Sequence, residues 1–105
     1  MINESPQKDK TISELLESII QIINKYIKEE HEIYIFGSWA KGKSLDTSDL
    51  DIAVESTVKI KDEVFIKIKE DINNLPTLRT IDIIDLKRVS KNFRENILKY
   101  AKKLN

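Results

Sequence analysis

The sequence predicts a small α/β fold of the α+β kind, and three observations carry that reading. Apolar residues recur at helical spacing over 12–27 and again over 93–104, as on a helix with one face buried. Short runs rich in β-branched and aromatic residues at 33–36, 50–55 and 80–86 have the composition of strands. Only two glycines and two prolines occur in 105 residues, and both glycines, Gly37 and Gly42, lie between the first two of those runs. The resulting order is helix, strand, short turn, strand, helix, strand, helix.

Each element has a local cause. Thr11-Ile-Ser-Glu14 has the form of a capping box, in which the Thr hydroxyl accepts from an orphan amide and the Glu reaches back to the cap. Ile12, Leu15, Leu16, Ile19, Ile22, Ile23, Tyr26 and Ile27 then follow the i, i+3, i+4, i+7 pattern. His31 comes after the charged Lys28, Glu29 and Glu30, and is read as ending a helix at the surface without a catalytic role. Residues 33–36 form the first strand, ended by Gly37, and residues 38–41 read as the start of a short helix whose amides face the turn. Residues 43–48 are polar loop, and 50–55 the second strand. Phe65, Ile68, Ile72 and Leu75 place a helix over 60–74, although the alternation of Val64, Ile66 and Ile68 also fits a strand. Pro76 interrupts the pattern, 80–86 is the third strand, and Ser90 caps a last helix with Phe93, Ile97, Tyr100, Ala101 and Leu104 on one face.

Composition excludes several classes. A chain of 105 residues is expected to form one domain over 1–105. At that size roughly 60–65% of the unfolded chain's surface is buried, so a homodimer or a heteromeric partner would add useful contact. Eighteen basic and eighteen acidic side chains cancel to a net charge of zero, which gives no bulk attraction to nucleic acid, and no aromatic-basic stripe is present. The absence of cysteine excludes disulfides and thiolate metal sites. The first ten residues are polar, unlike a signal peptide, and no apolar run is long enough for a bilayer, so no membrane association is expected and a cytoplasmic protein is the default reading.

The informative segment runs from residue 37 to residue 51. Gly37-Ser38 is followed after ten residues by Asp49-Leu-Asp51, with a strand-like run on either side. Residues two apart on a strand share a face, so Asp49 and Asp51 converge on one volume while Leu50, Ile52 and Val54 point to the core. Asp82 lies inside the third apolar run, where a carboxylate is costly unless paired or ligated. Three such carboxylates on adjacent strands form a hard oxygen site suited to Mg2+ or Mn2+. Two ions about 3.5–4 Å apart would clamp the attacking and leaving oxygens of a phosphoryl displacement. Asp85 is the alternative third ligand, less favoured because a strand-end carboxylate commonly meets solvent or helix amides.

Phe36-Gly-Ser-Trp-Ala-Lys-Gly42, Ser48-Asp-Leu-Asp-Ile-Ala-Val54 and Ile81-Asp-Ile-Ile-Asp-Leu86 together resemble the signature of the minimal nucleotidyltransferases of the polymerase β-like superfamily. The resemblance covers nearly the whole chain. It implies a small mixed sheet with helices packed on one face, and ATP with Mg2+ as the donor. It further implies the antitoxin half of a HEPN/MNT toxin–antitoxin pair, which adds AMP to a tyrosine of the HEPN ribonuclease partner. Carried over by position, Gly37, Ser38, Lys41 and Ser48 would contact the nucleotide, and Asp49, Asp51 and Asp82 would be the metal-binding catalytic carboxylates.

Trp39 stands where relatives usually have a basic residue, and Lys41 where Arg is common. Trp39 would stack on a base or pack on the sheet, and Lys41 would neutralise a phosphate without a bidentate fork. Asp46 and Lys43 are read as loop residues, and residues 67–71 as a solvated helix face. Two other functions fit the same motif. One is an antitoxin that neutralises its partner by binding alone. The other is an aminoglycoside-type small-molecule nucleotidyltransferase, for which 105 residues leave no second domain to shape an acceptor pocket.

Overall fold

The computed structural model describes residues 11–37 and 49–105. Helix α1 (Ile12–Tyr26) starts at the expected capping box: Thr11 Oγ1 accepts from the Glu14 amide at 3.2 Å, and Glu14 Oε1 accepts from the Thr11 amide at 3.1 Å. Strand β1 (His31–Phe36) pairs antiparallel with β2 (Leu50–Ser56). Helix α2 (Asp62–Asn73) then crosses over to β3 (Ile81–Asp85), which lies parallel to β2, as a parallel pair requires. Helix α3 (Lys91–Tyr100) starts at Ser90, whose hydroxyl accepts from the Phe93 amide, and the two-residue β4 (Lys102–Lys103) returns to β1. The sheet order among the described residues is β3-β2-β1-β4.

The alternation of each strand divides its side chains between two apolar layers. Ile33, Ile35, Leu50, Ile52, Val54, Ile81 and Ile83 face α1 and α2, where Leu15, Ile19, Ile23, Ile68 and Ile72 are buried against them. Tyr34, Phe36, Ala53 and Ile84 point the other way and pack with Leu86, Ile97, Leu98 and Ala101. The mixed sheet therefore stands as expected, but helices on one face describes only α1 and α2. Helix α3 covers the opposite face, because Tyr34, Phe36 and Ala53 present an apolar surface there that an exposed sheet would leave in water.

Two local expectations are corrected. His31 opens β1 instead of ending a helix: α1 stops at Tyr26, and the imidazole bridges Asn24 Oδ1 and the Glu29 carbonyl, each at 2.7 Å. The last helix stops at Tyr100, because Lys102 and Lys103 pair with Ile35 and Tyr34, and Leu104 packs in the first core instead of extending a helical stripe. The ambiguous segment around Val64 to Ile68 is helical, with Ile68 and Ile72 buried and Ile66 exposed. Among the described residues no helix is long and apolar enough to cross a membrane.

Helix α3 is also held to the sheet by charge. The Arg94 guanidinium donates to both carboxylate oxygens of Glu55, at 3.0 and 2.6 Å, a forked geometry that fixes orientation as well as distance. On the same sheet face the Tyr34 hydroxyl donates to Glu32 Oε1 at 2.5 Å. That bond, with burial and the Glu32 charge behind it, pushes the Tyr34 phenol up to about 12 from the ordinary 10.0. Because the folded value exceeds the unfolded one, the stability it contributes is complete below pH 10 and is lost as pH rises through about 12. Tyr34→Phe is therefore expected to flatten the alkaline limb of a stability-against-pH curve, measured by urea unfolding between pH 8 and pH 11. An unchanged limb would assign the alkaline loss to other groups.

Candidate active site

Antiparallel pairing of β1 with β2 and parallel pairing of β2 with β3 bring the end of β1 and the beginnings of β2 and β3 to one end of the sheet. Phe36 is registered opposite Asp51, and Asp51 opposite Asp82. Leu50 and Ile52, on either side of Asp51, are completely buried on the α1 and α2 face. Asp51 consequently points to the α3 face, where alternation also puts Asp82 on the neighbouring strand. Asp49 lies one residue before β2 and is exposed, as is Asp82, while Asp51 is partly buried.

Gly37 closes this corner. Its φ of 76° lies in the left-handed region that a side chain disfavours. A Cβ placed there would overlap Asp51 Oδ2 and stand 3.3 Å from Asp51 Cγ. The backbone turn thus rests directly against the carboxylate. Gly37→Ala is expected to cost about 1–3 kcal/mol through the left-handed backbone. The carboxylate itself can swing away, so the larger effect is a misplaced Asp51, seen as a greater loss of whatever activity depends on that carboxylate than of thermal stability. Equal retention of both would show that the close approach is incidental.

Electrostatics ties the three carboxylates together. Burial pushes the Asp51 carboxyl above its ordinary value, and the nearby charges of Asp82 and Asp49 push it further in the same direction. Among the described residues no group of three or more His, Cys, Asp or Glu side chains is already drawn into a metal-ligand cluster. Asp51 feels the charge of the other two acids without the three being gathered round a point. An all-oxygen, like-charged donor set of this kind fits a hard divalent cation, whose charge would offset that repulsion.

Asp85, the alternative third ligand, faces elsewhere. It is buried at 2% exposure and accepts from the Ile60 amide at 3.0 Å and the Lys87 amide at 2.9 Å, with Arg88 Nε 3.3 Å away. Arg88 in turn donates to the Ile60 carbonyl. Asp85 is thus the costly carboxylate inside the apolar run, satisfied by a structural knot, while Asp82 is exposed beside Asp51. The burial argument made for Asp82 belongs to Asp85, and the register supplies the reason for grouping Asp82 with Asp51. Ser38, Lys41 and Ser48, expected to contact nucleotide, lie outside the described residues, as do Trp39, Gly42, Lys43 and Asp46.

The sequence did not reveal a groove of about 220 Å3 that begins at Gly37 and runs between Phe36 and α3, lined by Phe93, Asn96, Ile97 and Tyr100. Those α3 positions follow i, i+3, i+4, i+7, which is legible as one helix face. Periodicity assigns that face to the core, yet only Ile97 is buried, with Phe93 48% and Tyr100 55% exposed.

Known proteins resemble this chain in sequence and in fold. Residues 17–105 match the family model described as polymerase beta, nucleotidyltransferase. A relative from Haemophilus influenzae, named a probable protein adenylyltransferase MntA, is 29% identical over 82 residues, covering 78% of this chain and 72% of the relative. A solved minimal nucleotidyltransferase superposes with a TM-score of 0.70 at 21% identity, covering 95% of this chain and all of the other. A complex of tri-AMPylated HEPN toxin with MNT antitoxin from Shewanella oneidensis contains a similar fold, with a TM-score of 0.66 at 21% identity over 87% of this chain and 69% of that one. With a family match spanning most of its length and the motif carboxylates of Asp51 and Asp82 in register, this chain belongs to the polymerase β nucleotidyltransferase family.

Proposed function

We propose that this protein transfers AMP from ATP to a tyrosine hydroxyl of a HEPN-type ribonuclease toxin and so acts as its antitoxin. The observation that carries the chemistry is the placement of Asp51 against the Gly37 turn and opposite Asp82. The names of the Haemophilus relative and of the Shewanella complex support the choice of donor group and partner.

Asp49, Asp51 and Asp82 would hold Mg2+, with Mn2+ as a substitute, and a pair of bound ions would neutralise charge on the α-phosphate and on the departing pyrophosphate. The Gly37 turn, with Ser38, Lys41 and Ser48 from the adjoining segment, would hold the triphosphate. The acceptor oxygen would form the new bond to the α-phosphorus as the bond to pyrophosphate breaks, and Asp82 would take the hydroxyl proton. No covalent enzyme intermediate is needed, since positioning and fixed charge suffice.

The test is intact-mass spectrometry of a co-expressed HEPN partner after incubation with this protein and MgATP, beside the Asp49→Asn/Asp51→Asn variant. One or more AMP increments that require the intact carboxylates are expected. A stable complex without any increment would replace transfer by neutralisation through binding.

A further inference from the structure

We infer that the groove between the Gly37 turn and α3 is the nucleobase subsite of this nucleotidyltransferase, with Phe93 as its stacking surface and Asn96 as the residue that reads the base edge. The inference rests on the nucleotidyl-transfer reading above and names the part of the donor that the carboxylates do not engage.

The groove opens at Gly37, the residue in contact with Asp51, so it adjoins the place where the triphosphate is handled. A nucleotide with its phosphates at that corner must lay its sugar and base along a neighbouring surface, and this groove is continuous with it. The lining has the chemistry of a base site. Phe93 leaves about half its area, 48%, in solvent on a helix that buries Ile97 in the second apolar layer. An aromatic face displayed beside a phosphate corner gains more from a stacked base than from water. Asn96 is exposed between Phe93 and Tyr100 on the same helix face. Its amide offers one acceptor and two donor hydrogens in a plane, the pattern that pairs with an adenine edge. Phe36 and Ile97 form an apolar floor. Among the described residues the other large exposed apolar side chains, Val58, Ile66 and Leu78, lie elsewhere and do not line this groove.

The groove is distinct from the machinery of bond making, so its substitutions should separate base recognition from phosphate recognition. Equilibrium binding of ATP and of inorganic tripolyphosphate, both with Mg2+, would be measured for the wild type, Phe93→Ala, Asn96→Ala and the exposed α2 control Ile66→Ala. Phe93→Ala is expected to weaken ATP about tenfold while leaving tripolyphosphate unchanged, in keeping with the loss of one base stack. Asn96→Ala is expected to narrow the preference for ATP over the other nucleoside triphosphates, and Ile66→Ala to change neither ligand. Unchanged ATP affinity in both groove variants would overturn the subsite, and a rise only in the KM for the acceptor protein would give the groove to the acceptor instead. Failure of the wild type to bind MgATP at all would overturn the nucleotidyl-transfer reading itself, an outcome distinguishable from either.

Discussion

Asp51→Asn is expected to lower nucleotidyl transfer by about 10³-fold or more, the scale on which removing a fixed charge-stabilising group acts, and at the same time to make the protein more stable in metal-free buffer. The two effects have one origin. In the folded protein partial burial of the Asp51 carboxyl, and after it the charges of Asp82 and Asp49, raise its titration above the ordinary value. A raised folded value means that the group favours folding below its unfolded pKa, and that this contribution is lost as pH rises through the folded pKa. At neutral pH the ionised Asp51 therefore works against folding, and the neutral isostere removes that opposition. The gain is small, because the charges of the exposed neighbours are screened by solvent. It should shrink as pH falls into the range where Asp51 itself is protonated. Added Mg2+ should raise the melting temperature of the wild type and have little effect on the variant. Thermal melts at pH 4 and pH 7, with EDTA and with Mg2+, measure all of this. A variant less stable than the wild type in EDTA at neutral pH would show that Asp51 serves the fold.

Asp85→Ala is expected to do the reverse, costing about 2–4 kcal/mol of stability without a direct effect on the reacting groups. The substitution orphans the Ile60 and Lys87 amides and leaves Arg88 without its buried partner. The segment entering α2 and the turn after β3 are joined through this carboxylate and through Arg88, which it holds in place. Asp85→Asn, which keeps an acceptor but not the charge, should fall between the wild type and the alanine variant. Urea unfolding midpoints rank the three. A loss below about 1 kcal/mol for alanine would show that water replaces the missing acceptor at little cost. Together the two aspartates separate the roles that a sequence containing Asp82, Ile83, Ile84 and Asp85 leaves merged.

What the sequence by itself determined is local. The Thr11 capping box, the stripe of α1, the Ser90 cap and the strand at 50–55 follow from hydrogen-bonding and spacing within a few residues, and each is found where expected. The spacing of Gly37, Asp49 and Asp51 was equally legible, because a turn and a period-2 strand need no distant information. Tertiary structure alone decided the rest. Whether Asp82 or Asp85 is the buried acid depends on which face of β3 meets α2 and which end meets Arg88. A run of five residues with an acid at either face does not encode that choice. The face of the sheet that α3 covers, and hence the exposure of Phe93 beside Gly37, follows from the apolar surface presented jointly by β1 and β2. Strand β4 exists because Lys102 and Lys103 meet the free edge of β1; two lysines have no strand propensity of their own, and the unpaired backbone groups of that edge supply the reason.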